Sequence, residues 1–267
     1  MKILMIGDIV GRSGRLVLER RLASIKEEYN LDFIVANAEN TAGGSGLTIK
    51  NYHDLKEIGI DCLTLGDHAY RQKEIFSILD TTKDLIRPGN YPKSAPGKGI
   101  GIFEIPGNAE HGPLRIAVIC LVGRVFMQPV NCPFEAVDEL LGKLPEEIKV
   151  RIVDFHAEAT SEMQALGRHL DGRVSAVLGT HTHVATADET IYPQGTAFQC
   201  DVGMTGSFNS IIGRKIERVL ETVRTFRPTQ FEVATENRRI NGTIVDVDTR
   251  TGKALAIQRI NVSEDDG

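Results

Sequence analysis

The stretch VSAVLGTHTH at residues 174–183 carries the pattern that decides the fold of this chain: a short apolar run that leads directly into metal-binding side chains. Buried parallel strands read as short, nearly continuous apolar runs, and open α/β sheets form their sites at the carboxyl ends of such strands. In a strand or its extended continuation, residues i and i+2 point the same way. His181 and His183 are therefore expected to face one point, although the His-x-His pattern alone also fits two surface histidines.

The same pattern recurs in four more segments of the chain. The apolar runs and the polar residues that follow them are residues 2–7 before Asp8, residues 33–38 before Glu39 and Asn40, residues 62–66 before Asp67 and His68, and residues 150–155 before His156. Together the five strand ends would bring carboxylates, an amide and imidazoles to one rim of a sheet. Such a collection suits a two-metal hydrolase.

Each of these residues also has a simpler interpretation when it is taken alone. Asp8 could cap the helix predicted to follow it, and Glu39 with Asn40 could mark an ordinary turn. His68 could be an exposed loop histidine, and His156 a satisfied core or cap residue. The joint pattern favours the metal site, since loop residues chosen at random would rarely place all these groups at strand ends. The remaining histidines lie outside the pattern and are assigned to the surface: His53, His111 and His169.

Strand-like and helix-like patterns alternate over the first 200 residues, which predicts an α/β fold. Helices are predicted at residues 12–29, 49–58, 73–79, 134–144, 158–170 and 216–226, and strands at residues 100–105 and 114–122 in addition to the runs above. Residues 87–113 are rich in Pro and Gly and are predicted to form a surface excursion rather than a linker, because the strand pattern resumes at Leu114.

The C-terminal part of the chain changes character and predicts short antiparallel strands. These lie at residues 231–234, 242–248 and 254–260, with turns expected at Asn241-Gly242 and Thr251-Gly252. We interpret residues 1–267 as a single domain with a C-terminal antiparallel β addition at about 230–261.

Composition excludes several classes of protein. The formal net charge is −5, which argues against a protein that coats nucleic acid, and no stable nucleic-acid binding is expected. No apolar run reaches about 18 residues, so no membrane span is expected. The four cysteines form no Cys-x-x-Cys pair and are expected to be reduced thiols, mostly buried. With no secretory signal pattern, these features predict a cytoplasmic protein. The sequence leaves the oligomeric state open, a homo-oligomer included.

Several blocks of the sequence resemble a known family. Gly7-Asp8, Gly66-Asp67-His68 and residues 179–183 (GTHTH) resemble the metal-binding blocks of calcineurin-like metallophosphoesterases. Longer blocks resemble the YmdB-like branch of bacterial phosphodiesterases: residues 37–40 (NAEN), 87–92 (RPGNYP), 154–162 (DFHAEATSE) and 181–188 (HTHVATAD). The resemblance runs from Met1 to about residue 212 at the level of motifs, and it implies a layered sandwich of mixed β-sheets flanked by helices.

Carried over residue by residue, the resemblance implies a centre with two metal ions. Asp8, Glu39, Asn40 and His183 would hold one metal, and Glu39, Asp67, His156 and His181 would hold the other. His68 would be the catalytic proton donor. The superfamily has Asn at the position of Asp67, and relatives are expected to have an acid at the position of Arg71. The resemblance favours iron or manganese, with zinc as an alternative, and mixed nitrogen and oxygen ligands agree with this choice.

The activity implied is hydrolysis of small phosphodiesters, with 2′,3′- or 3′,5′-cyclic nucleotides as substrates. Aromatic residues that could stack on a base, or simply pack, are Tyr70, Tyr91, Phe126 and Phe208, and basic residues that could aid phosphate binding are Arg12, Arg71 and Arg124. Two alternatives remain open: a nucleotide phosphomonoesterase, and a metal-binding regulatory protein with little catalysis. The intact set of polar residues argues against the second alternative.

Overall fold

The computed structural model describes residues 1–106 and 113–266. Its strands, in chain order, are β1 (Lys2–Ile6), β2 (Asp8–Ile9), β3 (Phe33–Asn37), β4 (Cys62–Thr64), β5 (Leu85–Ile86), β6 (Ile100–Ile105), β7 (Leu114–Val122), β8 (Val150–His156), β9 (Ala176–Thr180), β10 (Thr190–Ile191), β11 (Ala197–Gln199), β12 (Met204–Ser207), β13 (Arg238–Val247) and β14 (Ala254–Ser263). Its helices are α1 (Gly11–Tyr29), α2 (Ile49–Ile58), α3 (Phe76–Leu79), α4 (Pro133–Gly142), α5 (Thr160–His169) and α6 (Ile216–Thr225), with a 3₁₀ turn at Lys73–Ile75 before α3.

Two mixed sheets form the centre of the fold. The first has the order β2-β12-β13-β1-β3-β4-β5, with β14 also paired to β13, and the second has the order β10-β11-β9-β8-β7-β6. Within the first sheet β1, β3 and β4 are parallel neighbours, and within the second sheet β7, β8 and β9 are parallel neighbours. Parallel neighbours end at the same edge, so each sheet presents one rim of carboxyl ends.

The alternation of side chains along β1 shows how the layers pack. Ile3 and Met5 are buried in a core shared with Val118 and Ile152 of the second sheet. Leu4 and Ile6 point the other way, into a core formed with α1 and α2. A third core packs α4 and α5 against the outer face of the second sheet. Because successive strand residues face opposite sides, one apolar run can serve two cores, which is why β1 reads as continuously hydrophobic.

The layered α/β sandwich predicted from the sequence is therefore confirmed. The helix predicted at residues 12–29 begins one residue earlier, at Gly11, and the helix predicted at 49–58 is observed with those bounds. The strand predicted within the Pro- and Gly-rich segment, Ile100–Ile105, and the strand predicted directly after it, Leu114–Val122, are both present. No helix in the described ranges combines the length and the apolar character needed to cross a membrane.

Two expectations for the C-terminal part are wrong. The segment 231–234 is not a strand, since it contributes only an isolated bridge between Val233 and Arg214. Asn241-Gly242 is not a turn but lies inside β13, where Gly242 pairs with Ile6. A side chain at Gly242 would approach the Met5 carbonyl oxygen within 2.7 Å, so this glycine serves close strand packing rather than a turn. The second expected turn, at Thr251-Gly252, joins β13 to β14 as predicted.

Candidate metal centre

The rims of the two sheets meet at one cluster of polar side chains. Asp8 follows β1, Glu39 and Asn40 follow β3, and Asp67 and His68 follow β4 in the first sheet, while His156 ends β8 and His181 and His183 follow β9 in the second sheet. The five strand ends singled out by the apolar pattern therefore converge, as parallel strands with a common rim require.

One half of the cluster surrounds the His156 Nε2 atom. This atom lies 3.1 Å from Glu39 Oε1, 3.2 Å from Asp67 Oδ1 and 3.0 Å from His181 Nδ1. One donor atom from each of these four residues lies within 4.8 Å of the other three. His156 and Glu39 are completely buried, whereas the side chains of Asp67 and His181 are about one-fifth exposed. The set offers two carboxylates and two imidazoles around a single point, open on one side.

The other half of the cluster contains Asp8, Asn40 and His183. Asn40 Nδ2 lies 3.2 Å from His183 Nε2 and 3.4 Å from Asp8 Oδ1, and His183 Nε2 lies 3.8 Å from Asp8 Oδ1. Asn40 Nδ2 is also 3.3 Å from Glu39 Oε1. Glu39 Oε1 thus faces both halves of the cluster.

The amide of Asn40 presents nitrogen to these groups and oxygen to His68, whose Nδ1 lies 2.9 Å from Asn40 Oδ1. A cation in the half that contains Asp8 needs the amide oxygen on its own side, because an amide NH₂ group does not ligate metals. A half-turn of the amide about its last side-chain bond exchanges the two atoms. The His68 side chain is 27% exposed, and its backbone N–H donates to Glu39 Oε2 at 2.9 Å.

A buried polar relay orients His156. The Thr180 hydroxyl donates to Asp154 Oδ1 at 2.7 Å, so its lone pairs accept from His156 Nδ1–H, 2.9 Å away. The neutral ring then has its lone pair on Nε2, which faces the cluster. Asn37 Nδ2 adds a bond to Asp154 at 3.2 Å. Burial raises the pKa of Asp154 to about 6.

The loop that carries the histidine pair is not extended, and this corrects the expectation that both imidazoles face one point. His181 and His183 have φ angles of +113° and +66°, in the left-handed region, and they face different halves of the cluster. Non-glycine residues in this region store backbone strain, which is concentrated at functional sites. The Asp201 carboxylate holds the loop, because it accepts from the backbone N–H and the hydroxyl of Thr182, each at 2.8 Å.

His183 is oriented as firmly as His156. Its Nδ1–H donates to the Ile212 carbonyl oxygen at 3.0 Å, which leaves the Nε2 lone pair pointing at Asp8 and Asn40. Asp8 in turn accepts from the backbone N–H of His181 through Oδ2 at 3.0 Å, so its two oxygens are divided between the loop and the cluster. The α1 helix begins at Gly11 with Val10 as its N-cap residue and no side-chain cap. The alternative interpretation of Asp8 as the helix cap is therefore wrong.

The acids of the cluster set its electrostatics. Burial alone would lower the pKa of His156, but Glu39, Asp67 and Asp8 outweigh burial and raise it well above its usual value. Burial alone would raise the pKa of Glu39 and of Asp67, but His156 outweighs it and lowers both. A proton on His156 therefore partly neutralises the negative charges of Glu39, Asp67 and Asp8. A metal cation competes for the same place as that proton.

Comparison with known proteins places the chain in a family. The family model described as a YmdB-like protein matches residues 4–260. The chain belongs to the YmdB-like family. Among curated YmdB-like relatives, the 2′,3′-cyclic-nucleotide 2′-phosphodiesterase of Bacillus subtilis is 43% identical over 265 residues, which cover 99% of this chain and 98% of the relative.

Solved structures agree with this assignment. A structure described as a novel phosphatase from Mycoplasma pneumoniae has a TM-score of 0.91 and 36% identity, and the match covers 100% of this chain and 94% of that one. The calcineurin-like phosphoesterase YfkN from Bacillus subtilis has a TM-score of 0.58 at 11% identity, with 99% and 90% of the two chains covered. The second likeness shows that the YmdB-like chain has the calcineurin-like fold.

All eight residues singled out by the sequence lie in the cluster of this YmdB-like protein, whereas His53 and His169 are exposed elsewhere and His111 lies outside the described residues.

The residues that hold these eight side chains in place were not predicted from the sequence. Asp154 and Thr180 are hidden within the apolar runs of β8 and β9, and Asp201 follows the run of β11. A carboxylate in an otherwise apolar run is the one signal that could have found Asp154, since a buried charge needs partners. Glu158 lies just before α5 and places Oε2 3.2 Å from His181 Nε2.

Proposed function

We propose that this protein is a phosphodiesterase with two metal ions that hydrolyses small cyclic phosphodiesters, with nucleoside 2′,3′-cyclic phosphates as the first substrates to test. Membership of the YmdB-like family identifies the chain as a hydrolase that acts on phosphoesters. The metals, the residues that hold them and the substrate are the proposal. The name of the Bacillus subtilis relative supports the 2′,3′-cyclic class, and 3′,5′-cyclic nucleotides form the comparison.

The position of Glu39 is the observation that carries the proposal. Its Oε1 atom lies 3.1 Å from His156 Nε2 on one side and 3.3 Å from Asn40 Nδ2 on the other. A carboxylate that is 1% exposed and shared by two sets of ligand groups is suited to bridge two cations. Asp8, Asn40 and His183 would complete the first metal site, and Asp67, His156 and His181 would complete the second.

The residues present fit such metals. His156 and His183 both have their outer nitrogen engaged by a hydrogen-bond acceptor, Thr180 Oγ1 and the Ile212 carbonyl oxygen respectively, so each directs a lone pair inward. Outer-shell bonds of this kind orient metal-ligating histidines. The donor set contains only nitrogen and oxygen, which suits iron, manganese or zinc better than calcium or magnesium alone. When bound, two such cations would polarise the phosphate and lower the pKa of a water nucleophile.

His68 is the group that this chain offers for proton transfer. It is the least buried of the histidines in the cluster, and its Nε2 lies 3.9 Å from Asp67 Oδ2 at the open side. The 2.9 Å contact between His68 Nδ1 and the Asn40 amide fixes the ring relative to the cluster whichever end of the amide faces it, because Nδ1 can donate to the amide oxygen or accept from the amide N–H. A proton on the imidazole can therefore pass to the leaving oxygen of a diester bound at the open side, a contribution of about 10²–10⁴-fold to the rate.

Metal content and diesterase activity of Glu39→Gln test the proposal. The wild type is expected to bind two metals per chain and to hydrolyse bis-para-nitrophenyl phosphate, while Glu39→Gln should lose both metal and activity. Glu57→Gln, an exposed glutamate on α2, is the matched control and should behave as wild type. A wild-type protein that remains inert and metal-free after addition of Mn²⁺ or Fe²⁺ would reject the proposal in favour of a regulatory role.

A phosphomonoesterase is the second candidate, and the description of the Mycoplasma pneumoniae structure as a phosphatase favours it. The turnover of bis-para-nitrophenyl phosphate and of the mono-ester separates the two activities. Preference for the diester supports the proposal, and a strong preference for the mono-ester supports the second candidate. The same comparison with 2′,3′- and 3′,5′-cyclic nucleotides assigns the substrate.

A further inference from the structure

A cleft of about 550 Å³ opens beside His183, which forms one of its walls. Small-molecule sites occupy about 300–1,000 Å³ and combine apolar walls with a few polar groups. The cleft has this composition. Its apolar lining includes Val184, Met204, Phe208 and Ile212, and its polar lining includes Asn241 and Arg259. Val184 and Ile212 are more than half exposed, so apolar surface faces solvent at this place.

The amide of Asn241 is held in one orientation. Its Oδ1 accepts from Asn261 Nδ2 at 2.6 Å, and Asn261 Oδ1 accepts from Arg239 Nη1 at 2.9 Å. Because arginine can only donate, this relay fixes which end of each amide is oxygen. Asn241 is only 3% exposed, yet no acceptor faces its Nδ2 within the described residues. Asn241 lines the cleft, so its Nδ2 donor is available to a ligand that enters there.

The cleft adjoins the metal centre through Gly203. A methyl group on Gly203 would lie 2.5 Å from Asn241 Nδ2, so the amide packs directly on this glycine. The carbonyl oxygen of Gly203 accepts from the backbone N–H of Asp8 at 3.1 Å. On the other side, Ile212 lines the cleft and holds the His183 ring through its carbonyl oxygen. A substrate whose phosphate lies at the cluster can therefore extend past His183 into the cleft.

The charges of the cleft indicate what part of a substrate it takes. Arg259 Nε lies 2.8 Å from Glu189 Oε2, so the guanidinium that lines the cleft is already paired. A second phosphate would find no free cation among the described lining residues. Apolar walls with one fixed donor suit a neutral, flat heterocycle that carries a ring acceptor.

We propose that this cleft is the nucleobase subsite of the enzyme, with Asn241 Nδ2 donating a hydrogen bond to a ring nitrogen or carbonyl oxygen of the base and Phe208 forming an apolar wall against it. This inference rests on the proposed function, because it assigns the substrate of that centre to nucleoside phosphodiesters. Asn241 is a specificity residue in this scheme and touches no reacting atom.

Steady-state kinetics with two matched diesters test the subsite. The substrates are adenosine 2′,3′-cyclic phosphate and methyl ribofuranoside 2′,3′-cyclic phosphate, which lacks the base. The wild type should prefer the nucleotide, and Asn241→Ala should raise its KM for the nucleotide roughly tenfold, the loss expected for one hydrogen bond. The kcat for both substrates and the KM for the base-free diester should stay unchanged. Phe208→Ala should act in the same direction, and Asn209→Ala, an exposed asparagine bonded to Glu236, is the control.

The possible outcomes distinguish a failure of the proposed nucleobase subsite from a failure of the proposed metal centre. Equal loss on both substrates would show that Asn241 supports the fold and would overturn the subsite, as would a wild type without preference for the base. If the wild type hydrolyses neither diester, the proposed function fails, and calorimetric binding of adenosine and of methyl ribofuranoside then tests the cleft by itself. Binding that needs the base and is lost in both Asn241→Ala and Phe208→Ala supports the subsite. Absence of such binding in the wild type overturns it.

Discussion

His181 Nδ1 lies 3.0 Å from His156 Nε2, so imidazole nitrogens from two neighbouring strand ends face each other at hydrogen-bonding distance. The Nδ1 proton of His156 is already donated to Thr180, which leaves a lone pair on Nε2. His181 Nε2 lies 3.2 Å from Glu158 Oε2, and a proton on Nε2 donated to that carboxylate leaves a lone pair on His181 Nδ1 as well. Two facing lone pairs repel unless a proton or a cation lies between them. The acids around His156 raise its pKa and favour the proton, and they would favour a metal cation for the same electrostatic reason.

The relay behind His156 gives the first prediction. Thr180→Val keeps the shape of the side chain but removes the group that links His156 to Asp154, so the ring loses its fixed tautomer. We expect metal affinity to fall about 10–100-fold, the usual effect of losing an outer-shell partner of a metal-binding histidine. Competition with a fluorescent chelator measures this loss.

Thr64→Val is the matched control for that prediction. Thr64 also donates to Asp154, through Oδ2, but makes no bond to His156. Its loss should destabilise the buried carboxylate and lower the melting temperature without a comparable loss of metal affinity. If the two valine variants lose metal to the same extent, the orientation of His156 is not the cause.

Much of the centre could be predicted because it depends on local patterns. The apolar runs that end at Asp8, Glu39 and His156 are readable in the sequence, and the common rim of parallel strands then brings the residues together. Conformation within the centre could not be predicted in this way. The left-handed φ of His181 and of His183 arises from tertiary bonds to the loop, which no local pattern encodes.

The error at Asn241-Gly242 has the same origin. The dipeptide has strong turn propensity, but pairing of β13 with β1 outweighs it because Gly242 permits close approach of the Met5 carbonyl oxygen. The consequence for function is direct, since the mid-strand position brings Asn241 to the cleft beside His183. A polar residue in a central strand far along the chain gives no local signal of the site that it joins.

Close packing at Gly66 gives a prediction that changes no ligand. A methyl group there would lie 2.3 Å from His156 Cδ2 and 2.4 Å from Glu39 Oε2, and both side chains are buried and cannot retreat. Gly66→Ala should therefore disrupt the cluster and cost about 1–3 kcal/mol of stability from overpacking. Metal content and thermal unfolding measure the two effects.

Gly142 provides the comparison for Gly66. It is the last residue of α4, and a methyl group there would meet nothing within 4 Å. Gly142→Ala should leave metal content unchanged and stabilise the protein by up to about 1 kcal/mol through the helix. A Gly66→Ala variant that retains both metal and stability would show that His156 and Glu39 pack less tightly against Gly66 than they do in the structure.

The cysteines give a prediction about reactivity. Burial raises the pKa of Cys62 and Cys120 well above the usual thiol value and raises that of Cys200 to about 12. Only Cys132 among the four is partly exposed. Since the thiolate is the reactive form, we expect the native protein at pH 8 to react with Ellman's reagent at Cys132 alone. All four should react after denaturation, and rapid reaction of a second thiol in the native state would contradict the packing of the core.

The role of His68 can be separated from metal binding by the choice of leaving group. His68→Asn removes the imidazole that would protonate the departing oxygen, while the Glu39 carboxylate and the other ligand groups remain. Turnover of a nucleoside 2′,3′-cyclic phosphate, whose leaving alkoxide needs a proton, should fall about 10²–10⁴-fold. Turnover of bis-para-nitrophenyl phosphate should fall much less, because para-nitrophenolate leaves without protonation. Metal content should equal that of wild type, and an equal loss of rate on both substrates would mean that His68 positions the phosphate or the metals instead of donating the proton.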